Sequence, residues 1–206
     1  MESVTDKIHS LVSKYAQELQ HKIEIRTKGL ESDDQSHYLI YKVLGIQDNE
    51  GRLIDLYQNK GRFLYKYAGA FLEETTFLCF KERFPHARRA QVENTSGQRP
   101  RQFHIDCLID REAIEIKWRD ATTDGYHIIE EHARIKVIKD HGFYPVRVMF
   151  FYPNREQPKR IQETIKTVYQ GIGGACYAGD DALEYVRTRT GIDLKVILVN
   201  IAKDLQ

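Results

Sequence analysis

Apolar and polar positions divide this chain into a helical opening and a mixed second part. Val4, Ile8, Leu11, Val12, Tyr15, Leu19 and Ile23 recur at helical spacing and predict an amphipathic helix over residues 4–23. Thr5 and Asp6 suit its N-terminus. Leu30 to Ser36 is polar and reads as a loop. A shorter helix is expected through His37 to Leu44, stopping at Gly45, and Asp48-Asn-Glu-Gly51 reads as a turn. From Arg62 to Phe84 the apolar residues fall nearly all round a helix. That segment is expected to be well buried, with Pro85 as its stop.

The pattern then changes period. Gln91 to Arg101 reads as a loop, entered from a short strand at Ala90 to Glu93. Two alternating runs follow within residues 101–119, broken at Asp110-Arg111-Glu112, which predicts a β-hairpin. Asp120 to Gly125 reads as a loop. His127 to Asp140 is helical, with Ile128, Ile129, Ile135 and Ile138 as candidate buried residues and Gly142 as its end. Pro145 to Tyr152 reads as a buried strand carrying Val146, Val148, Phe150 and Phe151. Pro158 to Tyr169 is helical, Gly171-Ile-Gly-Gly174 is a breaker, and Asp180 to Arg189 and Ile192 to Leu205 form two closing helices. This order predicts an α/β fold: a mixed β-sheet flanked by helices, with an N-terminal helical region. Residues 1–58 are expected to form that region, serving dimerisation or clasping DNA, and residues 59–206 the core.

The hairpin carries the chemistry. Strand side chains alternate faces, so Ala113, Glu115 and Lys117 share one face, opposite Ile114, Ile116 and Trp118. On the first strand Phe103, Ile105, Cys107 and Ile109 make the apolar face, and His104, Asp106 and Leu108 the other. Where the polar faces coincide, two carboxylates and an amine meet. Such carboxylates suit a hard cation such as Mg²⁺, and a neighbouring lysine can position or deprotonate a water. Together these groups suit metal-assisted phosphodiester hydrolysis. Asp193-Leu-Lys195, the other acid-x-lysine, falls in a helical pattern where i and i+2 face apart, and it is set aside.

Composition narrows the classes. With 206 residues the chain can bury a real core, and its net charge of +1 excludes a uniformly basic binder. Positive charge instead gathers near the hairpin, at Arg88, Arg89, Arg99, Arg101, Arg119, Arg134 and Lys136. Asn94, Ser96, Gln98, Thr122 and Thr123 add neutral donors, and together these residues are expected to contact DNA phosphates and base edges, with plain solvated loops as the other reading of each taken singly. Cys79, Cys107 and Cys176 are widely spaced within apolar runs, which fits buried thiols in a reducing cytoplasm better than disulfides or a zinc site. No apolar stretch is long enough to span a bilayer, so no membrane partner is expected. His127 and Glu131, at i,i+4, read as helix-surface residues. His104 reads either as a partner of the metal site or as a satisfied histidine near the core.

Asp106 followed by Glu115-Ile-Lys117 resembles the PD-(D/E)XK nuclease superfamily, with Ile105 where its pattern has proline. The run Glu115 to Gly125, the helix through His132 to Lys136, and Tyr144 to Arg155 resemble type II restriction endonucleases, and specifically the ApaLI-like group. The likeness covers roughly residues 60–205. It implies a Mg²⁺-dependent enzyme, with Mn²⁺ able to substitute, that cuts double-stranded DNA at a short palindrome as a homodimer. Asp106 and Glu115 would bind the metal, and Lys117 would orient water and neutralise charge. Glu73, four residues after Gly69, would be the superfamily's helix glutamate, with a partly exposed helix residue as the plainer reading and Glu74 the neighbouring candidate. The other classes are a repair or junction-resolving nuclease of the same fold, told apart by its substrate, and a non-catalytic DNA-binding domain, told apart by divalent-dependent cleavage.

Overall fold

The computed structural model describes residues 2–97, 99–119 and 126–205. Gln98, Thr122, Thr123, the expected loop 120–125 and the side chain of His127 lie outside the described residues. The chain divides into two compact units, His9–Phe71 and Met1–Ile8 with Leu72–Gln206. The division passes through two helices, α1 (Val4–Glu31) and α3 (Asp48–Arg83).

The first unit is helical throughout. Helix α1 continues past Ile23, so the expected loop begins only at Ser32. Helix α2 (Tyr38–Val43) forms as expected, and Gly45 follows it at φ 86°. The expected turn at Asp48–Gly51 is instead the first turn of α3. Asp48 and Glu50 favour that start, since carboxylates stabilise the positive N-terminal end of a helix. Gly51 serves packing: a Cβ there would lie 2.7 Å from Tyr41 Cδ2, so only glycine lets α2 approach α3 this closely. Tyr41 Oη donates to Asp55 Oδ1 at 2.9 Å and fastens the two helices. Leu64 and Tyr65 are exposed, against the expectation of all-round burial.

The second unit holds the sheet. Ser3 and Asp6 cap the start of α1 reciprocally: Asp6 N–H donates to Ser3 Oγ at 3.2 Å, and Ser3 N–H to Asp6 Oδ2 at 3.1 Å. Five strands, β1 (Arg88–Glu93), β2 (Gln102–Ile109), β3 (Glu112–Arg119), β4 (Tyr144–Phe151) and β5 (Ala175–Ala178), lie side by side in that order. The first two pairings are antiparallel and the last two parallel, so the sheet is mixed as expected. The β2–β3 turn uses Asp110 at φ 51°, a conformation that aspartate tolerates better than most residues.

Helices cover both faces. Cys176 packs toward α5 (Glu156–Gly171), while its neighbour Tyr177 stacks on Tyr185 of α6 (Asp180–Thr190) with ring centroids 4.3 Å apart. Adjacent strand residues point to opposite faces, so α5 and α6 lie on opposite sides of the sheet. Helix α4 (Tyr126–Asp140) covers the α5 side, with Val137 and Ile138 packed on Val92, Phe103, Ile105, Leu108 and Ala113. Ile135 and Ile138 are buried, but Ile129 is exposed, as is Phe151 at the end of β4. Between its exposed ends, Tyr144 and Phe151, strand β4 is buried, as befits a central parallel strand. Helix α7 (Leu194–Asp204) closes the chain, with Asp193 as its N-cap.

Candidate active site

The site lies where two strands part. Strands β2 and β3 pair at Ile109↔Glu112, Leu108↔Ala113 and Cys107↔Ile114, and their ladder ends there. Strand β3 goes on to pair with β4 as far as Arg119↔Phe151. Just before the fork, the β1–β2 register shifts between Arg88 and Ala90: Arg88 faces Leu108 but Ala90 faces Ile105. One extra β2 residue is accommodated at Asp106-Cys107, and the alternation of faces breaks there. Leu108 accordingly packs with Phe103 and Ile105, not on the face expected for it beside Asp106. Side chains take up the backbone groups that the fork frees. Ile116 N–H donates to Asp106 Oδ2 at 2.8 Å, and the His104 carbonyl accepts from Arg134 Nη2 at 2.7 Å.

Glu115 and Lys117 share the β3 face that looks toward α4 and α5. Glu115 is buried and holds a cation on each oxygen, Lys117 Nζ on Oε1 and Arg134 Nη2 on Oε2. Behind them the charges continue inward. Arg134 Nη1 lies 3.7 Å from Glu131 Oε1, and Arg147 Nη1 donates to the same oxygen at 3.0 Å. Tyr169 Oη donates to it at 2.7 Å, and Arg147 Nη2 reaches Gln162 Oε1 at 3.3 Å. Burial opposes these charges, yet the pairing outweighs it. Arg134 and Lys117 hold Glu115 below the ordinary glutamate range, and Arg147 and Arg134 pull Glu131 down to about 2. Lys117, raised by Glu115 against the effect of burial, stays protonated.

Asp106 shows the opposite balance. Burial first, and then the negative charge of Glu115, push its carboxyl up to about 8. The Ile116 N–H and Lys117 offset this only in part, and Glu73 adds to it. Glu73, on α3, shares with Asp106 an open cleft of about 690 Å³ lined also by Arg88, Arg89, Gln91 and His104. Arg89 Nη2 lies 3.2 Å from Glu73 Oε1. The structure therefore brings the helix glutamate to the Asp106 side of the fork.

A family model for ApaLI-like restriction endonucleases matches residues 1–203. The chain belongs to this family. The match includes the N-terminal helices, which the sequence resemblance, beginning near residue 60, leaves out. Neither a curated protein nor a solved structure matches the chain. Membership of the ApaLI-like family makes the protein a DNA-hydrolysing restriction endonuclease, and the fork is its candidate catalytic centre.

The cationic residues expected around an ApaLI-like site divide into two groups. Arg88, Arg89, Arg99, Arg101, Arg119 and Lys136 are exposed. Arg134 is instead 8% exposed on α4 and committed to Glu115, so it is an interior member of the site and not the exposed DNA-contacting cation expected. Asn94 and Ser96 organise their own loop: Asn94 Nδ2 donates to the Pro100 carbonyl at 2.8 Å, and Ser96 N–H to Asn94 Oδ1 at 3.0 Å. His104 is exposed and its Nδ1 lies 3.1 Å from Gln91 Nε2, so its partner is on β1. Glu131, expected on the helix surface, is turned inward onto Arg147. Sequence reasoning passed over Arg147, Gln162 and Tyr169. Arg147 alone carried a signal, as a lone cation inside an otherwise apolar strand. All three thiols are free, with Cys79 and Cys107 buried. No helix among the described residues is long and apolar enough to cross a membrane.

Proposed function

We propose that this ApaLI-like enzyme is a Mg²⁺-dependent type II endonuclease that cuts double-stranded DNA at a short palindromic site as a homodimer. The observation that supports the reading is the β2–β3 fork, where Asp106 accepts from the backbone N–H of Ile116, between Glu115 and Lys117, whose side chains pair with each other. Among the described residues, no three His, Cys, Asp or Glu side chains form a ready-made metal cage. The donor set nevertheless fits a hard cation. Asp106 is an anion made costly by burial and by Glu115, and a cation relieves both. Magnesium commonly takes one or two protein carboxylates and completes its shell with water and phosphate, which matches Asp106 and Glu115. When bound there it supplies Lewis-acid polarisation and a water of lowered pKa.

The protein's own groups do the rest. Lys117, protonated beside Glu115, neutralises charge that develops on the phosphoryl oxygens and orients the attacking water through its N–H groups. Arg89, held toward the cleft by Glu73, is placed to receive a phosphate. Arg88, Arg99, Arg101, Arg119 and Lys136 are exposed cations for the flanking backbone. A two-fold palindrome calls for two-fold protein symmetry, hence the homodimer. Manganese, with similar oxygen preference, is expected to substitute.

Digestion of a sequenced plasmid with the purified chain and Mg²⁺, followed by mapping of the ends, tests this. Discrete fragments with ends at one palindrome are expected, abolished by EDTA. Ca²⁺ is expected to support specific binding in a gel-shift assay without efficient cleavage. Cutting governed by DNA structure instead of sequence would overturn the reading in favour of a repair-type nuclease. Specific binding without any divalent-dependent cutting would point to a non-catalytic domain.

A further inference from the structure

A reacting carboxylate must present the correct oxygen, because misplacement by about 1 Å can cost about 100-fold in rate. The two oxygens of Glu115 are held very differently. Oε1 faces Lys117, whose side chain is 40% exposed, whereas Oε2 is held by Arg134, whose side chain is 9% exposed. Arg134 has further anchors: Nη2 also donates to the His104 carbonyl at 2.7 Å, and Nη1 lies 3.7 Å from Glu131. One guanidinium thus bridges β2, through His104, and β3, through Glu115, just where their ladder stops. Nη2 serves the carboxylate and the carbonyl while Nη1 faces Glu131, and a lysine ammonium, with a single nitrogen, cannot occupy both places in the same geometry.

We infer that Arg134 is a positioning residue for cleavage: it fixes Oε2 of Glu115 and braces β2 against β3, leaving Oε1 as the oxygen open to a cation and Lys117 as the amine freed for the reaction. The choice of oxygen follows from desolvation. Exchange of cations at Oε1 returns an accessible ammonium to water and phosphate. Exchange at Oε2 would strand a buried guanidinium without its partner, which is strongly unfavourable. This inference rests on the metal-dependent reading of the fork and adds to it a residue that the motif does not contain.

Arg134→Lys and Arg134→Met test it in the full-length chain. The measurements are single-turnover cleavage at saturating Mg²⁺, DNA binding in Ca²⁺, titration of the DNA-free protein with Ca²⁺ alone by calorimetry, and the thermal midpoint. Arg134→Lys is expected to keep its fold and its DNA affinity in Ca²⁺ while losing about 100-fold in cleavage rate. Arg134→Met, with the competing positive charge removed, is expected to bind Ca²⁺ more tightly than the wild type while cutting more slowly. A merely structural role would lower stability, metal binding and rate together. An undiminished rate in Arg134→Lys, or unchanged or weaker Ca²⁺ binding by a folded Arg134→Met, would overturn the inference. Should Arg134→Met not fold, the rate of Arg134→Lys decides. Cleavage by the wild type in EDTA would be a different failure, removing the metal reading itself and the role of Arg134 with it.

Discussion

Asp106, partly buried, and Glu115, buried, are carboxyl groups near one another, yet their protonation is driven in opposite directions. Glu115 has Arg134 and Lys117 in contact, whereas Asp106 has one backbone N–H and two carboxylate neighbours. The sign of the pH effect differs accordingly. Asp106 sits at about 8 in the fold against 3.8 ordinarily, so the folded state holds the proton more tightly. Its contribution to stability is present below the ordinary value and is lost as pH rises toward 8. Glu131, at about 2, contributes stability above the ordinary glutamate value of 4.5, and loses it only as the pH falls toward 2. Asp106→Asn should therefore be more stable than the wild type at pH 8 in EDTA, and closely similar near pH 4. Urea unfolding at the two values checks this, and equal stability at pH 8 would refute it. The same variant should show no detectable cleavage.

The elements that build the site include one short enough to be missed, β5. It is held by pairing to β4 and by the Tyr177–Tyr185 stack. Its entry is tight: a Cβ on Gly174 would lie 2.6 Å from the Pro145 carbonyl oxygen and 2.9 Å from Pro145 Cγ. Pro145 belongs to β4, whose backbone also carries Arg147 into the buried charge cluster. Gly174→Ala must therefore displace backbone of β4 or β5. A loss of about 1–3 kcal/mol is expected, as for other overpacked positions. Urea unfolding measures it, and an unchanged midpoint would show that the α5–β5 connection yields freely. Cleavage by the folded fraction should survive, because Gly174 belongs to neither the carboxylates nor the cleft.

At the scale of the whole molecule, the most exposed apolar surface belongs to α2. None of its residues is buried, and Leu39, Ile40, Val43 and the following Leu44 are 58–74% exposed. A contiguous apolar surface of this kind marks an interaction site more often than a solvated face. Under the proposed reading of a palindromic site, a second copy of the chain is the occupant expected. Val43→Asp combined with Leu44→Asp should convert a dimer to a monomer in sedimentation and slow double-strand cutting of plasmid at low enzyme concentration. A double variant that stays dimeric would place the interface elsewhere.

The fold class, the hairpin and the shared face of Glu115 and Lys117 were legible from the residues, because period-two alternation and a short turn are local properties of the backbone. The helix starting at Asp48 was not, since Gly51 reads as a turn residue until Tyr41 packs against it from α2. Nor was the length of α1, or β5, which is too short to show a period. At the site, alternation assigned the faces of β3 correctly, but it failed at Leu108, where a shifted register inserts a residue. Arg134, read as a DNA-contacting cation, and Glu131, read as a surface residue, became interior only through the packing of α4 on the sheet. Charge pairing between distant segments has no periodic trace in a sequence. It arises when burial makes an unpaired charge too unfavourable to keep, and that condition exists only once the chain is folded.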